Sequence, residues 1–125
     1  IVEKEIDLRY ILRTFKFIIT TRATSTVGWC VLSKNPVIYI ETLDNRLKKD
    51  AYLQFKKNLF FFDVRNKNWK NELVNLLSKS NLEIESMWKS KEKSRRKFIT
   101  KYFGDLTINA ERKCAKIIDE NIRNN

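Results

Sequence analysis

Two apolar runs separated by residues 21–35 constrain the fold of this chain more than any other feature. The runs are FKFIIT at residues 15–20 and VIYIE at residues 37–41, and both are rich in the β-branched and aromatic residues that favour strands. A hairpin is closed by about two to five residues, whereas a parallel crossover needs roughly a dozen and usually contains a helix. The spacing therefore predicts a βαβ unit with two parallel strands.

The crossover itself has the features of a short buried helix at residues 25–33. Thr24 or Ser25 is the predicted N-cap, and Lys34-Asn35-Pro36 is the predicted stop. The rest of this half continues the alternation, with a helix at 5–13, a polar loop at 42–48, a helix at 50–57 and a strand at 59–64. Three parallel strands with helices between them predict an α/β fold, a three-layer Rossmann-like lobe with a short parallel sheet.

The C-terminal half is predicted to be helical. Apolar residues recur at helical spacing in segments 69–79, 82–103 and 108–123, and Gly104 is the predicted end of the second. Because the chain holds only two Gly and one Pro, no flexible linker divides it, and residues 1–125 are predicted to form a single lobe. The chain begins with Ile1 rather than Met, which favours a piece of a longer protein.

The composition excludes several classes of chemistry. No histidine is present, which removes histidine acid–base catalysis, Ser-His-Asp triads and histidine-ligated metals. Cys30 and Cys114 match no metal or CxxC spacing, so free thiols in a reducing, cytoplasmic compartment are expected. No DxD pair supports a metal-bridged diphosphate, and no residue pattern indicates a catalytic nucleophile or base.

The turn after the first strand is the leading candidate for ligand binding. Ligands of open parallel sheets bind outside the carboxyl ends of the strands, and helix N-termini attract anions. Residues 20–26 carry five hydroxyls and one guanidinium and lead into the predicted helix. The predicted phosphate-binding residues are Thr21, Arg22, Thr24, Ser25, Thr26 and Gly28. Hydroxyl residues also cap helices without any ligand, so both interpretations stand at this point.

Acidic residues follow the second and third predicted strands at the same edge. Glu41 and Asp44 are candidates for accepting hydrogen bonds from ribose or sugar hydroxyls. The alternative is a loop acid paired with Arg46 or Lys48. Asp63 ends the third strand and has the same two interpretations.

A net charge of +11 indicates attraction to anions, and its densest part is the segment Lys89–Lys101. On one helix this segment would form a cationic stripe suited to acidic lipid headgroups or RNA. The alternative, which the sequence favours, is the solvated face of an amphipathic helix whose Trp88, Phe98 and Phe103 pack in the core. Nucleic acid is therefore not an expected partner.

The order of these segments resembles the C-terminal lobe of GT-B glycosyltransferases, above all bacterial enzymes that make capsule, polysialic acid and glycerophosphate polymers. The motif that opens their donor-binding helix appears here as Ser25-Thr26, Gly28-Trp29-Cys30 and Lys34-Asn35-Pro36-Val37-Ile38, and their closing motif as Tyr102, Gly104-Asp105, Ala110, Arg112 and Ile117. The usual Gly before Lys-Pro is replaced by the order Lys34-Asn35-Pro36, and the His-Pro-type motif of some members is absent.

This resemblance implies that Thr24, Ser25 and Thr26 contact the phosphate of a nucleotide-activated sugar or glycerol donor, without a tightly bound metal or another cofactor. It also implies a cytoplasmic location at the inner face of the membrane, where Lys89–Lys101 would contact acidic lipid. The acceptor site and catalytic base would belong to an N-terminal lobe that this chain lacks, so the chain alone should not turn over. A small basic module for RNA or acidic membrane, and a truncated product without activity, remain as alternatives.

Overall fold

The computed structural model describes residues 15–104 and 110–124, so the helix predicted at 5–13 lies outside the described residues. The described elements are β1 Ile18–Thr20, α1 Ser25–Leu32, β2 Val37–Glu41, α2 Lys49–Asn58, β3 Phe60–Asp63, α3 Trp69–Leu77, α4 Asn81–Ser90, α5 Glu92–Phe103 and α6 Ala110–Arg123. The three strands form one parallel sheet in the order β1-β2-β3. The predicted α/β, Rossmann-like lobe with a short parallel sheet and a helical C-terminal half is confirmed.

Helices cover both faces of this sheet. Tyr39 of β2 lies beside Phe61 of β3, and Phe60 points to the opposite face because side chains alternate along a strand. On one face the Tyr39 ring meets the edge of Phe55 of α2, with centroids 4.9 Å apart. On the other face the Phe60 ring lies 5.7 Å from Trp88 of α4. The sheet is therefore the middle of three layers.

The central strand β2 is the most deeply buried element. Val37, Ile38 and Tyr39 are essentially inaccessible to solvent. A strand that is apolar at consecutive positions rather than at alternate ones is typical of a parallel sheet covered on both sides. Phe98 of α5 extends the core beyond α2, because its ring meets Phe55 edge-on at 5.3 Å. Trp88 and Phe98 are buried, as the sequence predicts.

The predicted single helix at 82–103 is wrong, because the chain bends at Lys91 between α4 and α5. A contact between residues seven apart spans this bend. The Arg95 guanidinium lies 3.6 Å from the centre of the Trp88 ring and donates to the Trp88 carbonyl oxygen at 2.9 Å. At the bend itself Lys91 has a φ of −95° and a ψ of 3°, which departs from regular helix geometry.

The ends of α1 and α5 have local causes. After α1, Lys34 has a positive φ of 69°, and Pro36 prevents the helix from continuing. After α5, Gly104 has a φ of 103°, a conformation that favours glycine. The first strand is shorter than predicted, since only the last three residues of the run at 15–20 pair with β2.

Candidate anion-binding site

The carboxyl ends of the three strands meet at one edge of the sheet, which we call the carboxyl edge. Thr20, Glu41 and Asp63 end the strands, and the loops that follow lie next to one another. The side-chain amide of Asn45 donates to the Thr21 carbonyl oxygen at 3.2 Å, which ties the loop after β2 to the turn after β1. The structure thus brings together the two groups of residues predicted from separate parts of the sequence.

The turn after β1 leaves its hydroxyl residues accessible. Thr21 and Thr24 are exposed, and Thr26 is half-buried in the first turn of α1. Thr24 is the N-cap residue with an extended backbone, but its hydroxyl makes no capping hydrogen bond. The first turn of α1 also holds no acidic residue that would neutralise the positive end of the helix dipole. Ser25 begins α1, and its side chain lies outside the description.

The Thr24 hydroxyl therefore does not cap α1 in this structure. Its backbone carbonyl accepts the first bond of the helix, from the Val27 N–H at 3.0 Å, while the hydroxyl stays free of that function. The Thr24 hydroxyl is thus exposed and makes no capping bond, and its contact with a phosphate stays a prediction.

Gly28 has a packing role. It is buried in α1, and a Cβ added there would lie 3.0 Å from Cδ1 of Phe103. The missing side chain therefore lets α1 approach α5 closely. A contact between Gly28 and a ligand stays a prediction.

Arg22 and Asp44 face each other across the carboxyl edge. Their charged groups are 3.9 Å apart, and the two side chains are 71% and 72% exposed. A hydrogen bond from Thr42 is the main reason that the pKa of Asp44 lies below its usual value, and Arg22 adds a smaller effect. The partner of Asp44 is thus Arg22 rather than Arg46 or Lys48. A long, exposed ion pair contributes little to stability, so Arg22 can exchange Asp44 for a ligand anion at low cost.

Glu41 lies beneath the loop rather than on its surface. Its side chain is only 1% exposed, and Oε1 accepts the Leu47 N–H at 2.8 Å. The second oxygen, Oε2, has no hydrogen-bond partner among the described residues. Glu41 therefore fixes the loop at 42–48 from below, and in this conformation it does not reach a ligand on the surface. Its contact with a sugar hydroxyl stays a prediction.

A cleft that the sequence did not indicate lies on the other side of the same loop. It has a volume of about 390 Å³ and is lined by Arg46, Leu47, Lys49, Tyr52, Leu53 and Arg65. At its rim Asp63 accepts hydrogen bonds from the Arg65 side chain and from the Tyr52 hydroxyl, the latter at 3.0 Å. Bonding to Arg65 is the main cause that lowers the pKa of Asp63 to about 2. The sequence signals for this cleft are two cations, Arg46 after the second strand and Arg65 after the third.

The basic segment Lys89–Lys101 does not form a continuous surface stripe. Arg95 is buried against Trp88, and burial lowers its pKa to about 10. Lys91 is half-buried, and its Nζ lies 3.5 Å from the Leu59 carbonyl oxygen. Two further cations pair with acids, namely Arg96 with Glu92 at 2.8 Å and Lys101 with Asp50 at 2.9 Å. The geometry favours the solvated-face interpretation over a polymer-binding stripe.

Other kinds of site find little support in the described residues. Within residues 15–104 and 110–124, no group of three or more His, Cys, Asp or Glu is placed to hold a metal ion. No helix in that part of the chain is long and apolar enough to cross a membrane. Cys30 is a free, buried thiol, as the sequence led us to expect. Its burial is the main cause that raises its pKa. The side chain of Cys114 is not among those described.

Comparison of the chain with protein-family models, with curated proteins and with solved structures finds no match in any of the three.

Proposed function

We propose that this chain is a donor-binding lobe that holds the phosphate of a nucleotide-activated sugar or glycerol at the carboxyl edge. The observation that carries the proposal is the turn exposed at residues 21–24, which leads from a parallel strand into a helix N-terminus without an acidic residue. Backbone N–H groups, hydroxyls and a guanidinium are the groups that bind phosphate oxygens in proteins.

Each residue of the turn has a specific task in this proposal. The phosphate oxygens accept hydrogen bonds from the free N–H groups of α1 and from the hydroxyls of Thr21, Thr24 and Thr26. Arg22 leaves Asp44 and pairs with the phosphate, and Asp44 then accepts a hydrogen bond from a ribose or sugar hydroxyl. Charge that develops on the departing nucleotide phosphate would be stabilised by the same groups.

The glycosyltransferase part of the proposal rests on the motif resemblance at Ser25-Thr26 and Lys34–Ile38. In that reading the acceptor site and the catalytic base come from a second lobe, and the donor is used on the cytoplasmic side of the membrane. Exposed apolar side chains suit such a partner lobe. Ile19 of β1 is 48% exposed on the sheet, and α6 exposes Ile118 and Ile122.

Binding of CMP, CDP, UDP and GDP to this chain tests the proposal, with the indole N–H signal of Trp29 on α1 as a reporter. Thr24→Ala and Arg22→Gln should each weaken the tightest nucleotide by about tenfold, the value of one charge-assisted hydrogen bond. Arg96→Gln is the matched control, because Arg96 is also an exposed arginine in an exposed ion pair but lies on α5.

Two results would contradict the proposal. One is unchanged affinity for every nucleotide in Thr24→Ala, Arg22→Gln and the double variant Ser25→Ala/Thr26→Ala. The other is an equal loss of affinity in the Arg96→Gln control, because that would attribute binding to the overall positive charge of +11.

A further inference from the structure

We infer a second anion site, for a phosphate-class oxyanion, in the cleft lined by Arg46, Leu47, Lys49, Tyr52, Leu53 and Arg65. The site lies between the loop after β2, the start of α2 and the turn after β3. It goes beyond the proposed function, because none of its residues belongs to the turn after β1 and its ligand does not require a nucleotide.

Two of the three cations at the cleft have no acidic partner among residues 15–104 and 110–124. The side chains of Arg46 and Lys49 are exposed, and neither makes a hydrogen bond or ion pair with another described residue. They approach the cleft from the loop after β2 and from the first residue of α2. Two cations placed on one concavity without an acid between them attract an anion from solution.

The third cation, Arg65, is held in a fixed orientation. Its Nε lies 2.9 Å from Oδ1 of Asp63, and its Nη2 bonds to Oδ2 of the same carboxylate. Its backbone N–H donates to Oδ1 at 2.9 Å, and its guanidinium lies 5.8 Å from the centre of the Tyr52 ring. A guanidinium has five N–H donors, so its Nη1 edge remains for a ligand.

The acids near the cleft are already engaged. Asp63 is bound by Arg65 and Tyr52, and Glu41 is buried beneath the loop with its Oε1 on the Leu47 N–H. Asp50 does not line the cleft and accepts hydrogen bonds from Lys101 and Tyr102, at 2.9 and 2.7 Å. The charges of Asp63 and Glu41 act on Arg65, whereas Arg46 and Lys49 pair with no acid in the described part of the chain.

The start of α2 forms one wall of the cleft. Lys48 is the N-cap of α2, and its side chain makes no capping hydrogen bond. Lys49 follows at the N-terminus of the helix and lines the cleft, while Asp50 in the same turn offsets the positive end of the helix dipole. A volume of about 390 Å³ lies in the range of small-ligand sites.

Pyrophosphate is the probe for this site, added to the intact chain at constant ionic strength while backbone amide signals are followed by NMR. The amides of Lys49, Leu53 and Arg65 should shift with a saturating dependence on concentration. Arg46→Gln/Lys49→Gln should weaken this binding by about tenfold or more, since each lost charge-assisted contact is worth about one decade. Both substituted residues are exposed, so the double variant should keep its fold.

The matched control is Lys56→Gln/Lys57→Gln, which removes the same charge from the exposed last turn of the same helix. Affinity within about twofold of the parent chain in this control supports the site. Equal weakening in both double variants, or amide shifts no larger than those in sodium chloride of equal ionic strength, would overturn it.

A comparison of pyrophosphate with UDP identifies the source of the oxyanion. Tighter binding of UDP at the cleft amides assigns the site to a phosphate of a nucleotide, and tighter binding of pyrophosphate assigns it to a free oxyanion. Neither result depends on Thr24 or Arg22. Failure of the nucleotide site after β1 and failure of this cleft are therefore separate outcomes.

Discussion

Replacement of Tyr39 by Phe tests how completely the central strand is buried. The Tyr39 side chain is 0% exposed, and its hydroxyl has no hydrogen-bond partner among the described residues. Its ring lies between the edge of Phe55 at 4.9 Å and the face of Phe61 at 5.8 Å. Burial, with a smaller effect of the Glu41 charge, raises the pKa of Tyr39 to about 12.

The raised pKa makes stability depend on pH with a definite sign. The unfolded chain releases the Tyr39 proton near pH 10, its ordinary value, whereas the folded chain holds it until about pH 12. Stability is therefore fully present below pH 10 and is lost between pH 10 and 12. From these two pKa values, the loss is about 0.1 kcal/mol at pH 9 and about 1.4 kcal/mol at pH 11. A phenylalanine does not titrate and avoids this loss.

Urea unfolding of the parent chain and of Tyr39→Phe at pH 9 and pH 11 measures the effect. At pH 9 the variant should be as stable as the parent or up to about 1 kcal/mol more stable, because it buries no unpaired hydroxyl. At pH 11 the difference in unfolding free energy should shift by about 1.3 kcal/mol further in favour of the variant. An unchanged difference, or a variant more than about 1 kcal/mol less stable at pH 9, would contradict the burial of an unpaired Tyr39 hydroxyl.

Substitutions at four other positions test the packing around the site. Arg95→Lys should cost about 2 kcal/mol and alter the Trp88 fluorescence, because lysine cannot keep both the stacking and the hydrogen bond, and urea unfolding measures this. Gly104→Ala should lower the unfolding free energy by about 1–2 kcal/mol, whereas Lys34→Gly should not lower it, since both positions have positive φ. Glu41→Ala should cost about 2–3 kcal/mol and increase amide exchange in the loop at 42–48, and Glu41→Gln, which keeps an acceptor, should cost less. A smaller effect of Glu41→Ala than of Glu41→Gln would contradict the role of its Oε1.

The sheet could be predicted because its signals are local. Strand β2 is apolar at consecutive positions, and the length of residues 21–35 leaves room for a helical crossover, so strand direction follows from spacing alone. The carboxyl edge could be predicted for the same reason, because parallel strands place their carboxyl ends together.

The features that escaped prediction depend on residues distant in sequence or on side-chain orientation. The bend at Lys91 is spanned by the contact of Arg95 with Trp88, which the helical periodicity of 82–103 does not reveal. Whether the Thr24 hydroxyl caps α1 depends on the rotamer of its side chain, whereas the residue type alone predicts a cap. The cleft at Arg46, Lys49 and Arg65 is lined by cations from two separate loops, and only the folded chain brings Arg46 and Arg65 together.

The location of bound nucleotide on the sheet shows whether the turn after β1 holds the phosphate. Backbone amide shifts on titration with UDP and CDP distinguish the carboxyl edge from the larger cleft at the opposite edge, which includes Lys34, Asn35 and Pro36. We predict that the largest shifts fall at residues 21–28, with small changes at 34–36. Saturable shifts centred on the opposite edge, with residues 21–28 unaffected, would contradict nucleotide binding at the turn after β1.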